Sequence, residues 1–176
     1  MATPTRRKIF KIVIIGEAAV GKTSLVKKFC EGSFLEGYKT TIGSDFYVKN
    51  FNIEDINVSL SLWDLAGEHR FKSVLPTFCK GSNGAVICFD LTRRKTYIRL
   101  TEWIEFLWEI TGLIPSILVG NKADLDGLRV VETSEAEGYA NQCNMKYYES
   151  SAKSGDGVLD LFEALARKII NEGRQT

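Results

Sequence analysis

The chain has 176 residues, 44% of them hydrophobic and 26% charged, with 23 Lys and Arg against 22 Asp and Glu for a net charge of +1. Such a balance fits one globular domain with a core large enough to fold without disulfide or metal staples, and it argues against disorder. It also argues against bulk electrostatic capture of nucleic acid or of an anionic membrane.

The first apolar run, Ile12 to Ile15, has the look of a buried strand. It leads directly into Gly16-Glu17-Ala18-Ala19-Val20-Gly21-Lys22-Thr23, the GxxxxGK(S/T) pattern, and a helix is expected over Lys22 to Glu31. A strand ending in a glycine-bounded turn that opens a helix aims backbone N–H groups and a helix dipole at one small volume, which suits an anion. Gly16 and Gly21 allow a close wrap around phosphates, Lys22 supplies a point charge for the β and γ groups, and the Thr23 hydroxyl suits Mg²⁺.

A loop through Gly37 to Gly43 comes next, followed by alternating strands at about Phe46 to Ile53 and Ile56 to Trp63, joined by a short turn at Glu54-Asp55. That spacing predicts one antiparallel hairpin. The second of these strands ends in Asp64-Leu65-Ala66-Gly67, where a carboxylate can hold a Mg²⁺ water and a glycine can offer its N–H to a γ-phosphate. Alone, DxxG is a common turn.

Further strands are expected at Ala85 to Phe89, Ser116 to Val119 and Lys146 to Tyr148, and helices near Arg70 to Lys80, Arg94 to Thr111 and Ser134 to Gln142. Helix-length crossovers make these strands parallel. In the last helix Val158, Leu161, Phe162, Leu165 and Ile169 fall on one face. Arg93-Arg94-Lys95 reads as a solvated helix start. Ligands of an open parallel sheet sit at the carboxyl ends of its strands.

Two such ends carry further motifs. Asn121-Lys122-Ala123-Asp124 offers a carboxylate able to accept from both the N1–H and the 2-amino group of guanine, a donor pair adenine lacks. Lys122 can lay its stem along a base, and Asn121 can tie this loop to the phosphate loop. Ser151-Ala152-Lys153 places the Ala152 N–H for the guanine O6. Each motif is modest by itself, but they follow one another in order, each at the end of a predicted strand.

With these residues the chain resembles the Ras-like small GTPases over essentially its whole length, Lys8 to about Ile170. Tyr38 to Phe46 and Leu62 to Phe71 look most like the Rab branch. The resemblance implies an α/β P-loop NTPase fold of the Ras-like G-domain type, a six-stranded mixed sheet with one antiparallel strand and five flanking helices. It implies a flexible segment over 1–7, the G domain over 8–171 and a tail over 172–176. The implied ligands are GTP, GDP and Mg²⁺, and the implied role is a switch in signal transduction and vesicle transport.

Nucleotide contacts are implied for Gly16, Glu17, Ala18, Ala19, Val20, Gly21, Lys22, Thr23 and Ser24. They are implied also for Phe34 against the base, Tyr38 over the phosphates, Thr41, Gly67, Asn121, Lys122, Asp124, Ser151, Ala152 and Lys153. Thr23, Thr41 and Asp64 are the implied metal set, and Glu68, Lys22, Thr41 and Gly67 the catalytic set. Thr41 would bind Mg²⁺ and the γ-phosphate only with GTP present, so phosphate loss releases its loop. Effector, exchange and activating proteins would read Thr40 to Phe46 and Gly67 to Lys80; no nucleic-acid partner is expected, and the chain is expected to be a monomer.

The pattern is broken near the γ-phosphate. Ala18 and Ala19 stand where small flexible residues, frequently glycine, are common, and a β-carbon at Ala18 narrows the approach of a partner's arginine. Glu68 stands where a water-positioning glutamine is expected, and an ionised glutamate accepts but cannot donate. It either polarises the water, or is repelled outward, or is a solvated surface carboxylate. Hydrolysis is therefore expected to be slow, with a GTP-bound interaction module as the alternative and an ATP-using P-loop enzyme disfavoured by Asp124. His69 is expected to be exposed and idle.

Cys30, Cys79, Cys88 and Cys143 show no CxxC pairing, and read as reduced thiols of a cytosolic protein. No apolar run approaches the roughly eighteen residues of a membrane span. Residue 2 is alanine and residues 171–176 contain no cysteine, so no lipid anchor is expected in this sequence. A cytoplasmic location is expected, with membrane association only through a partner or an additional tail.

Overall fold

Residues 6–34 and 40–173 are described by a computed structural model, apart from the side chains of residues 6 and 69. The apolar run at Ile12 is the inner half of a longer strand, β1, Arg6–Ile15, and its four residues Ile12 to Ile15 are entirely buried. They are buried because alternate side chains enter two different cores. Ile12 and Ile14 pack with Leu25 and Phe29 of α1, Lys22–Glu31, and with Phe162 and Leu165 of the last helix, Val158–Glu172. Val13 and Ile15 pack on the other side with Leu75, Trp103 and Leu107. A strand covered on both faces reads as an unbroken apolar run.

The predicted hairpin is present as β2, Ser44–Ile53, and β3, Ile56–Leu65, paired antiparallel with Phe46 opposite Trp63. After α2, Leu75–Cys79, come β4, Gly84–Asp90, and the helices α3, Arg94–Ile98, and α4, Leu100–Thr111. Then follow β5, Ser116–Asn121, α5, Thr133–Gln142, β6, Lys146–Ser150, and α6, the last helix. The sheet order is β2-β3-β1-β4-β5-β6, parallel at every pairing except β2 with β3. The predicted face of α6, from Val158 to Ile169, is buried.

Two helices differ from the sequence expectation. The segment expected as one helix over Arg94 to Thr111 is divided at Arg99, whose ψ of 0° opens the turn, so six α-helices flank the sheet among the described residues. The side chain of Arg99 is drawn towards Glu17 of the loop after β1, at 3.7 Å. The segment expected as a helix over Arg70 to Lys80 holds only a 3-10 turn, His69–Phe71, and the short α2. Pro76 accounts for this: it has no N–H to donate, so it fits the first turn of a helix but not its interior.

Candidate functional site

The loops that follow β1, β3, β5 and β6 meet at one end of the sheet around a cavity of about 750 Å³. Ala18, Ala19, Gly21, Lys22, Thr23 and Ser24 line one part of it, and Asn121, Lys122, Asp124, Ala152 and Lys153 another; Phe34, Thr41, Gly67 and Glu68 complete the sequence-predicted lining. Tyr38 lies outside the described residues.

The first loop is shaped by Gly21, which sits at φ 98°, a left-handed conformation, before α1 begins; a β-carbon there would run into the Asn121 amide. Gly67 packs against the backbone of the same loop, so that a β-carbon would collide with Glu17 and Ala18. Lys22 is 6% exposed, and its ammonium donates to the carbonyls of Gly16 at 2.9 Å and Glu17 at 2.8 Å. Burial pushes its pKa down, opposed by the carboxylate of Asp64. An anion entering the cavity favours the charged form.

Thr23 donates its hydroxyl to Oδ2 of Asp64 and lies 3.0 Å from the Thr41 hydroxyl. Asp64 is fully buried behind these two threonines, and burial raises its carboxyl to about 6 against the hydrogen bond from Thr23 and the charge of Lys22. Its Oδ1 is buried with no hydrogen-bond partner among the described residues. Two hydroxyls beside a carboxylate with an unsatisfied oxygen form a hard-oxygen set that fits Mg²⁺ and its water.

On the other side Asn121, 1% exposed, holds three loops together. Its amide donates to the Val20 carbonyl at 3.0 Å, and its Oδ1 accepts from the Ser150 hydroxyl at 3.2 Å and the Ala152 N–H at 3.3 Å. The Ser151 hydroxyl donates to Oδ1 of Asp124 at 2.6 Å. Behind them Arg129 makes a bidentate pair with Glu149 at 2.9 and 2.7 Å, with Thr133 and Tyr147 also donating to Glu149. The Arg129 guanidinium, aided by Thr133 and Tyr147 against burial, holds the Glu149 carboxyl below the usual carboxylate range.

Several predicted residues stand back from the cavity surface. Gly16, Glu17, Val20 and Ser151 contribute through the backbone or from behind: Val20 is in the core, and Glu17 turns its side chain to α4, accepting from the Trp103 indole at 3.1 Å. Glu68 lines the cavity and pairs with Arg70 at 2.6 Å. The side chain of His69 lies outside what is described. Cys79 and Cys88 are buried, Cys30 and Cys143 partly so, and all four are free.

Residues not anticipated as part of the cavity or its support are present too. Lys27, Thr40, Ile42, Asp45, Leu65 and Leu125 also line the cavity. Asp90 is fully buried at the end of β4, where Lys122 at 2.7 Å and Arg93 at 2.9 Å reach it. Burial opposes its ionisation, but hydrogen bonds from Lys122, Thr92 and Arg93 prevail and hold the carboxyl low. A carboxylate closing an apolar strand at the ligand end of the sheet was the available signal. Arg93 is exposed, as expected of a solvated helix start, and also reaches the Ala18 carbonyl at 2.9 Å.

The Ras family model matches residues 11–171. The chain belongs to the Ras family. Among its relatives, Ras-related protein Rab-21 of Bos taurus is 38% identical over 170 residues, covering 96% of this chain and 77% of the relative. Ras-related protein Rab-30 of Homo sapiens is 39% identical over 168 residues, covering 95% of this chain and 83% of the relative. These place the chain in the Rab branch of the Ras-like small GTPases, whose members are GTP-binding switches with GTPase activity. Family membership also brings GTP, GDP and Mg²⁺ as ligands and, in general, regulators and effectors as partners. No helix among the described residues is long and apolar enough to cross a membrane.

Proposed function

We propose that this protein binds GTP and GDP with Mg²⁺ in the 750 Å³ cavity and hydrolyses GTP slowly to GDP and phosphate. The observation that carries the reading is the Asn121 bridge, which joins a phosphate-loop carbonyl to both base-side loops across one cavity. Backbone N–H groups of residues 16–24 cradle the phosphates, and Lys22 leaves its carbonyl partners for the β and γ oxygens. Thr23, Thr41 and Asp64 hold the Mg²⁺, which when bound neutralises charge gathering on the phosphate oxygens. Gly67 offers its N–H to the γ-phosphate. Asp124 and the Ala152 N–H read guanine, Lys122 and Lys153 flank the base, Ser151 holds Asp124, and Phe34 packs against the ring.

Slowness follows from chemistry at the γ-phosphate. Glu68 is held by Arg70 at 2.6 Å and, as a carboxylate, cannot donate to a phosphate oxygen while accepting from water. The β-carbon of Ala18 crowds the approach of a partner's arginine, a group that can be worth about 10³ to 10⁵ in rate. The same observations support a second reading, a GTP-bound interaction module with negligible hydrolysis.

Partners would read residues 40–46 and 67–80. Ile42 is 80% exposed and Phe46 55% exposed, and Phe46 makes an edge contact with Trp63, which in turn meets Phe78. Apolar surface next to a loop released on phosphate loss suits a state-dependent effector.

Single-turnover hydrolysis tests the reading. The protein is loaded with GTP, the reaction is started with Mg²⁺, and bound GTP and GDP are followed by chromatography. Slow conversion to GDP that is lost in Lys22→Ala is the expected result. GTP that stays bound and intact favours the binding module, and ATP competing equally with GTP defeats the guanine assignment.

A further inference from the structure

Asp90 takes no part in the chemistry just described, yet its carboxylate is fully buried beside the phosphate loop. Oδ1 accepts from the Thr92 N–H at 2.9 Å and the Thr92 hydroxyl at 2.7 Å; Oδ2 accepts from Arg93 Nε at 2.9 Å and Lys122 Nζ at 2.7 Å. Each cation continues to the phosphate loop. Arg93 Nη2 donates to the Ala18 carbonyl at 2.9 Å, and Lys122 Nζ donates to the Ala19 carbonyl at 3.0 Å.

Those two carbonyls matter because a trans peptide points its N–H opposite to its C=O. Turning the Ala18 and Ala19 carbonyls onto the cations turns the N–H groups of Ala19 and Val20 the other way, away from the cations. Ala19 itself stands at φ 61°, a left-handed conformation unfavourable to a residue with a β-carbon. Such a conformation persists only where its surroundings over-determine it. The two charge-assisted hydrogen bonds gathered on Asp90 supply that constraint, and Lys122 brings the base-side loop into the same network.

We propose that Asp90 is a positioning residue of the nucleotide site: through Arg93 and Lys122 it holds the phosphate loop in its anion-binding shape, slowing release of a nucleoside diphosphate. This rests on the cavity being the nucleotide site. A role confined to the turn between β4 and α3 is the alternative, since Thr92 bonds the same carboxylate.

The test measures release of ribose-labelled fluorescent GDP from the wild type, Asp90→Asn, Arg93→Ala and the double variant, with the ³¹P resonance of the bound β-phosphate recorded for each. Asp90→Asn is expected to release GDP about tenfold faster or more, the scale of one charge-assisted hydrogen bond. Arg93→Ala is expected to do so about threefold faster, and the double variant no faster than Asp90→Asn within about twofold, because both act through one carboxylate. Both single variants shift the β-phosphate resonance. A resonance that stays in place, rates within about twofold of wild type in both single variants, or effects that multiply in the double variant would overturn the proposal. Where Asp90→Asn does not fold, Arg93→Ala, whose side chain is 43% exposed, decides alone on rate and resonance. A folded wild type that takes up no labelled GDP refutes the nucleotide reading itself.

Discussion

Replacing Asn121 with alanine tests whether the two sides of the cavity are joined as the structure has them. The substitution removes a 3.0 Å bond to the Val20 carbonyl and two longer ones, 3.2 Å from the Ser150 hydroxyl and 3.3 Å from the Ala152 N–H. Val20 and Ala152 are buried, so once their partner is removed water reaches their backbone groups only through the cavity that Asn121 lines. With about 1 kcal/mol for the short bond and half that for each long one, the loss is about 2 kcal/mol, rising to about 3 kcal/mol with the unsatisfied groups. In a chain of this size that corresponds to a fall in Tm of roughly 4–12 °C. Urea unfolding at a series of GDP concentrations separates this intrinsic loss from weakened nucleotide binding, because nucleotide adds RT ln(1 + [L]/Kd) to the folded state alone. Ser150→Ala, which removes one long bond, should cost less than about 1 kcal/mol. An intrinsic loss below about 1 kcal/mol for Asn121→Ala, at unchanged m-value, would show that the bridge does not hold the loops.

Asp124→Asn should exchange guanine for xanthine preference, because an amide can donate to the extra xanthine oxygen while its own oxygen still accepts from Ser151. The ratio of the two affinities should move by about 10-fold to 100-fold in competition between GDP and its xanthine counterpart, and retained guanine preference would remove Asp124 from base reading. Glu68→Gln should raise single-turnover hydrolysis and change its pH profile, at a stability cost under about 1 kcal/mol since its partner Arg70 is 66% exposed; profiles that coincide for both proteins would take Glu68 out of the mechanism. Glu149→Gln should lower stability near neutral pH by about 2 kcal/mol by breaking the bidentate pair with Arg129. The Glu149 carboxyl is held below its ordinary value of 4.5, so its stabilising contribution is fully present above that value and fades as pH falls through the lower folded one. Denaturation curves should therefore converge for the two proteins in acid, and a gap that stays constant from pH 7 down to about 3.5 would contradict the assigned cause.

What the sequence determined by itself was whatever depends on periodic burial and on local backbone preference. Ile12 to Ile15 announced a doubly covered strand, the two residues Glu54 and Asp55 announced a hairpin, and Val158 to Ile169 announced a buried helix face. The glycine-bounded turn before Lys22 and the polar groups closing each strand marked the end of the sheet where the cavity lies. Pro76 was legible as well, although the helix-length spacing between strands was read as one helix across it and so hid the short α2. The division of the next helix at Arg99 was not, since no proline or glycine there marks it; Arg99 pairs both with Glu102 and with Glu17, far away in the chain. Arg93 is the sharper case: as one of three consecutive basic residues it reads as solvated and is exposed, but only the sheet order, with β4 between β1 and β5, brings its guanidinium within 2.9 Å of the Ala18 carbonyl. Periodicity records which face of an element is dry. Which donor meets which carbonyl is decided by the neighbours that the sheet places side by side, and no local pattern carries that information.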